Sequence, residues 1–204
     1  MMIKKGKAYA NKRVKEDRPN GDFYSTPMSL IWVAKDIIEK EFDKNIDVLE
    51  PCSGDGAIVK PLIEMGYNVI ENDLYRGGVD YLNNRFKQKQ VITNPPFSLW
   101  DNFLTKSKDH ADKILYIGRL NYLGTHSRNI NGIWDNLKAV YCFDRYVDYQ
   151  TPYREDGKFC VGAMATAWFL WDMNYQKEPI IKILDVQKYA KLGNYKKKGE
   201  SNDD

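Results

Sequence analysis

Asp47-Val48-Leu49-Glu50-Pro51-Cys52-Ser53-Gly54-Asp55-Gly56 is the stretch on which the fold turns. Asp47–Glu50 reads as a short buried strand, and Pro51, which cannot donate to a ladder, ends it. Ser53–Gly56 reads as a turn, because Gly54 and Gly56 admit positive φ without steric penalty and let a ligand approach the backbone. Ala57–Met65 then has the pattern of a helix closed by Gly66. The turn therefore falls at the carboxyl end of a first sheet strand, where open α/β sheets bind their ligands.

The rest of the chain repeats the alternation. Asn68–Glu71 reads as the next strand and Arg76-Gly77-Gly78 as a turn. Gln90–Thr93 is a strand that runs straight into Asn94-Pro95-Pro96-Phe97, where consecutive prolines halt the ladder. Ser98–Lys108 is expected to be helical with Leu99, Phe103 and Leu104 on one side, and Ile114–Ile117 to be a strand. Ser127–Leu137 is expected to be a helix, with Ile130, Ile133, Trp134 and Leu137 spaced for burial. Ala139–Phe143, Ala163–Trp171 and Ile180–Val186 read as strands. Upstream, Thr26-Pro27 looks like an N-cap followed by proline at the first helical position. Leu30, Ile31, Ala34, Ile37, Ile38 and Phe42 then follow at helical spacing. Strands alternating with helices predict an α/β fold, a mostly parallel sheet with helices on both faces. The last strands, less separated by helix, predict an antiparallel edge strand.

Composition bounds the partners. The chain has 204 residues, 43% of them hydrophobic, which fits one domain with a proper core. Its net charge of +3 is unevenly spread. Residues 1–18 hold seven Lys/Arg against Glu16 and Asp17, whereas the body over 19–190 has 20 basic and 23 acidic residues. A basic arm on a mildly acidic body suits a polyanion partner, and equally a solvated start that aids solubility. The expected organisation is a basic arm over 1–21, one domain over 22–190 and a polar tail over 191–204. Cys52, Cys142 and Cys160 lack CxxC spacing, and the chain has only two histidines, His110 and His126. Neither a disulfide framework nor a metal site is expected from these. Val161–Trp171, the longest uncharged apolar stretch, is too short to cross a bilayer, and no apolar segment follows the cationic start. The expectation is a cytoplasmic protein without a membrane partner; no feature sets an oligomeric state.

The glycine turn is not a phosphate cradle. Position 59 is Val, so G-x-G-x-x-G fails, and no Gly-Lys-Ser/Thr occurs. A glycine turn alone is an ordinary tight connection. Here Glu50 and Asp55 lie beside it, Asp73 follows the second strand and Asp80 the next turn. Phosphate is repelled by such acids. A ligand with an ammonium, a sulfonium, ribose hydroxyls and an adenine amine is attracted, and S-adenosylmethionine has all four.

Asn94-Pro95-Pro96-Phe97 is the most specific feature of the sequence. The exocyclic amine of adenine is a poor nucleophile because its lone pair is delocalised into the ring. Two acceptors placed on its N–H bonds localise that pair: the Asn94 side-chain oxygen and the Pro95 carbonyl. The prolines fix φ and hold the carbonyl rigidly, a case of preorganised electrostatics. Phe97 offers a flat face for an extruded base. In isolation the tetrapeptide is a proline-stopped strand. Here the glycine turn lies 38 residues earlier, with the acids between them in the right order.

With these motifs the chain resembles the S-adenosylmethionine-dependent DNA amino-methyltransferases, especially adenine-N6 enzymes of restriction and phage origin. The resemblance covers roughly residues 22–172 and rests on Asp22-Phe23-Tyr24-Ser25-Thr26-Pro27, the glycine turn, Asn72-Asp73-Leu74, Asp80-Tyr81-Leu82 and Asn94-Pro95-Pro96-Phe97. It implies a Rossmann-like class I methyltransferase fold and S-adenosylmethionine as cofactor. Tyr24 and Thr26 would meet its methionine end, Thr26 near the carboxylate. Glu50, Pro51, Cys52, Gly54 and Gly56 would line methionine and ribose. Asp73, with Glu71 as rival, would hold the ribose hydroxyls; Asp80 would accept the adenine amine, with Tyr81 or Leu82 beside the ring. Asn94, Pro95, Pro96 and Phe97 would act on the target base. Only 13 residues separate Asp80 from Asn94, so no target-recognition domain fits between them. The segments Arg119–Arg128 and Tyr146–Phe159, the latter with Tyr149, Tyr153, Arg154 and Lys158, are the candidates for contact with DNA. The alternatives are an RNA adenine or a protein glutamine amide as substrate, or a cofactor- or nucleic-acid-binding module without catalysis. Cytosine-N4 is less favoured, because that class more often starts its motif with Ser.

Overall fold

Val48-Leu49-Glu50 forms β1 (Val48–Glu50), and all three residues are buried. It pairs in parallel with β2 (Val69–Glu71) on one side and β3 (Gln90–Thr93) on the other. The structure, a computed structural model, describes residues 26–149 and 162–188. Four further strands complete the sheet: β4 (Lys113–Arg119), β5 (Leu137–Phe143), β6 (Thr166–Asp172) and β7 (Ile180–Leu184), in the order β2-β1-β3-β4-β6-β5-β7. The fold class is the expected one, α/β with a mostly parallel sheet. The antiparallel strand is β6, which lies between β4 and β5. It is not itself the margin, because β7 pairs in parallel with β5 beyond it.

The faces of β6 show how the helices cover the sheet. Side chains of a strand alternate in direction. Trp168 donates its indole N–H to the Leu30 carbonyl, 2.8 Å away, in α1 (Ser29–Trp32). Phe169 and Trp171 point the other way. Both lie 5.8 Å, centroid to centroid, from Trp100 at the start of α4 (Trp100–Lys108). Gly118 on β4 makes room for that ring: a Cβ there would come within 3.0 Å of the indole. The remaining helices are α2 (Lys35–Glu41), α3 (Val59–Glu64) and α5 (His126–Ile130), with 3₁₀ turns at Leu74–Arg76 and Leu120–Gly124.

Two expected helices differ. The amphipathic stretch after Pro27 is two short helices with a turn at Val33–Ala34. Thr26 does not cap it, since α1 starts after Met28 without a side-chain cap. The helix expected over 127–137 stops at Ile130, because Gly132 and Asn136 take left-handed φ of 67° and 61°. Ile130 is accordingly exposed while Ile133 and Leu137 are buried. Among the described residues no helix is long and apolar enough to cross a membrane. The arm over 1–21, Tyr24, Tyr153, Arg154, Lys158, Cys160 and the tail over 191–204 lie outside the described residues.

Candidate active site

The chain leaves β1 outward to β2 and returns on the other side as β3, so strand order reverses beside β1. Such a reversal opens a crevice at the carboxyl ends of the strands. One cavity occupies this position. The loops after β1 and β2 and the Asn94–Phe97 segment supply most of its described wall, and Thr26, Leu99 and Phe103 also line it.

The loop after β1 is shaped by its own backbone. Gly54 and Gly56 have φ of 52° and 81°, and the Gly56 N–H donates to the Ser53 carbonyl at 2.8 Å. Asp73 ties this loop to the next one. One of its carboxylate oxygens accepts the Gly54 N–H and the other the Tyr75 N–H, each at 2.9 Å. Each oxygen keeps a lone pair for a ligand hydroxyl. Asn72 locks the following segment: its amide accepts from the Val79 N–H and donates to the Val79 carbonyl, both at 2.9 Å. Gly78 permits that approach, since a Cβ there would lie 2.6 Å from the Asn72 Oδ1. Asp80 caps the next turn by accepting the Leu82 N–H at 2.9 Å.

Charge in the wall has one sign. Asp55, Asp73 and Asp80 line the cavity, and no Lys, Arg or His does so among the described residues. Such a wall disfavours phosphate and favours a cationic ligand rich in N–H and O–H donors.

Beneath this wall lies Glu50, fully buried. Its Oε1 accepts from the Cys52 N–H at 2.8 Å and from the Thr93 hydroxyl at 2.5 Å. Its Oε2 has no partner among the described residues. Burial pushes the carboxyl up to about 8; the Thr93 and Cys52 hydrogen bonds oppose this, and Asp73 adds to it.

Asn94 stands where β3 ends. Its Nδ2 donates to the Thr26 hydroxyl at 3.0 Å. Its Oδ1 is buried and has no donor among the described residues. A buried acceptor left unpaired costs about 1–3 kcal/mol, so this oxygen is a place where a donor binds with gain. The loop behind it is pinned, as the Pro96 carbonyl accepts the Leu99 N–H at 3.0 Å and the Phe97 carbonyl accepts the Tyr122 hydroxyl at 3.2 Å. Phe97 is 8% exposed. The Arg119 guanidinium lies 4.8 Å over it, and Tyr149 meets it edge-on at 6.1 Å.

The structure thus gathers Thr26, Pro51, Cys52, Gly54, Asp73, Asp80, Tyr81, Asn94, Pro95, Pro96 and Phe97 around one cavity. Two residues expected there are elsewhere. Glu50 supports the wall from below, because its side chain turns to Thr93. Gly56 shapes the turn without lining the cavity; a Cβ on it would meet only the flexible Lys60 side chain. Of the rival acids, Asp73 lines the cavity, while Glu71 is exposed and does not. The Tyr81 hydroxyl bonds to Ser107 at 2.7 Å and to His110 at 2.9 Å. Arg128, from a segment expected to meet DNA, is bound to Asp101 at 2.6 Å and lies 4.0 Å over Tyr122. Sequence reasoning missed Leu74, Tyr75, Val79, Leu99 and Phe103 as wall residues. The i, i+4 spacing of Leu99 and Phe103 places them on one side, a signal consistent with the wall as much as with the core. The grip of Asn72 on Val79 had no sequence signal beyond its place after a strand.

No protein-family model matches this chain, and no curated protein matches it. Solved structures do. A candidate RNA methyltransferase from Pyrococcus horikoshii is 17% identical, with a TM-score of 0.54 over 73% of this chain and 86% of that one. A candidate class I S-adenosylmethionine-dependent methyltransferase from Listeria monocytogenes is 14% identical, with a TM-score of 0.58 over 83% and 68%. A type I restriction-modification methyltransferase subunit from Streptococcus thermophilus is 10% identical, with a TM-score of 0.55 over 78% of this chain and 47% of that one. The fold of this chain is therefore the Rossmann-like fold of class I methyltransferases.

Proposed function

We propose that the chain is an S-adenosylmethionine-dependent methyltransferase acting on the N6 amine of adenine in DNA. The observation that carries this reading is the Asn94 amide oxygen, buried and without a donor among the described residues, on the wall of a cavity to which those residues bring only acidic charges. The acids fit the cofactor's ammonium, ribose and adenine donors. Asp73 would hold the ribose hydroxyls and Asp80 the adenine amine, with Pro51, Cys52 and Gly54 along the methionine side. When bound, S-adenosylmethionine supplies an electrophilic methyl on a sulfonium.

The chain's own part is to prepare the acceptor. Asn94 Oδ1 and the Pro95 carbonyl accept the two N–H bonds of the amine and draw its lone pair out of conjugation with the ring. No strong base is needed, since the alkylated amine is acidic enough to give its proton to solvent. Phe97 supplies the aromatic face. A base entering on the covered side takes the place now held by the Arg119 guanidinium.

The test is incubation with labelled S-adenosylmethionine and DNA, RNA or protein, followed by digestion and identification of the labelled monomer. N6-methyladenine from DNA is the expected product, and label in RNA adenine or in glutamine would replace the DNA reading. Asn94→Ala is expected to bind cofactor normally and to lose at least about a hundredfold in turnover. Undiminished turnover in that variant would remove Asn94 from the chemistry.

A further inference from the structure

We infer that Thr26 is a positioning residue for the Asn94 amide rather than a contact to the cofactor carboxylate; this rests on the reading above. Thr26 is buried, and its hydroxyl takes the hydrogen bond from Asn94 Nδ2 at 3.0 Å across 68 residues of sequence. The segment that carries Thr26 is itself anchored. The Pro27 carbonyl accepts the Leu30 N–H at 2.9 Å, and the Leu30 carbonyl accepts the Trp168 indole N–H from β6 at 2.8 Å.

A primary amide has one accepting end and one donating end. Only the accepting end helps an incoming amine; the donating end would set N–H against N–H. With Oδ1 turned to the substrate, Nδ2 must go somewhere buried, and Thr26 is where it goes. Removing the hydroxyl leaves a buried donor unpaired in the productive orientation, so that orientation becomes less populated. A ligand of the carboxylate end would instead be felt in cofactor affinity.

The variants are Thr26→Val, which keeps the shape and removes the hydroxyl, and Thr26→Ser, which keeps the hydroxyl. Thr26→Ala stands in for Val if that variant does not fold. The Val variant is expected to bind S-adenosylmethionine within about twofold of wild type and to lose roughly ten- to a hundredfold in kcat. Ser is expected to recover most of that loss. Independently of activity, the Asn94 side-chain NH₂ resonances are expected to move in the Val variant and to stay near their wild-type positions in Ser. Unmoved Asn94 resonances in the Val variant would overturn the inference. So would a fall in cofactor affinity with kcat intact at saturation, which would make Thr26 a cofactor ligand. Should the wild-type chain methylate nothing, the methyltransferase reading falls, and the resonances alone decide the role of Thr26.

Discussion

Glu50 is protonated in the fold at a pH where it would be ionised in the unfolded chain, because burial raises it from 4.5 to about 8. Below about pH 4.5 the carboxyl holds its proton in both states. From there to about 8, unfolding releases a proton, so stability declines as pH rises, and above 8 the loss is complete. Glu50→Gln keeps an acceptor for Cys52 and Thr93 and removes the ionisation. Denaturant midpoints measured from pH 5 to 9 are expected to fall more steeply for wild type than for the Gln variant. Parallel profiles would show that Glu50 ionises normally. The same residue marks what could be read ahead. Its place beside the glycine turn was legible, since strand and turn fixed it. Whether the last side chain of a buried strand meets a ligand or turns to a neighbouring strand depends on Thr93, 43 residues away. Local sequence carries no signal for that choice.

Elements were legible where one period and one breaker coincided. Gln90–Thr93 begins and ends as expected because Asn94-Pro95-Pro96 cannot extend a ladder. The helix expected over 127–137 was not, because its apolar spacing survives across a turn and the start of β5, which bury Ile133 and Leu137 without being helical. Gly132 decides between the two descriptions. In a helix interior, Gly132→Ala would stabilise by roughly 1 kcal/mol. At the observed φ of 67°, with a Cβ only 2.7 Å from an Asp135 carboxylate oxygen, it should instead destabilise. The left-handed backbone alone gives a loss of about 1–2 kcal/mol. Urea denaturation of the Ala variant reads the sign directly, and a gain in stability would restore the helix. The two-helix start after Pro27 has the same origin: apolar spacing reports which residues are buried, not whether the backbone between them is continuous.

Across the whole molecule, charge separates by role. The cavity wall is acidic and suits a cationic cofactor, yet the proposed substrate is a polyanion that the body, with 20 basic against 23 acidic residues, does little to attract. Residues 1–18 reverse that balance with seven cations against two acids. A segment of this charge adds attraction without sequence preference, by releasing counterions from the phosphates it meets. Each contact of this sort contributes about 0.9 to the slope of log affinity against log salt. Deleting residues 1–18 is therefore expected to weaken DNA binding most at low salt and to flatten that slope by roughly 2–6. Cofactor affinity should be unchanged, since the deleted residues include none of those expected to meet the cofactor, the first of which is Tyr24. Equal DNA affinity with and without residues 1–18 across a salt series would assign the electrostatic contact to the rest of the chain. Arg119 over Phe97 and the exposed Tyr146 would then be the first side chains to substitute.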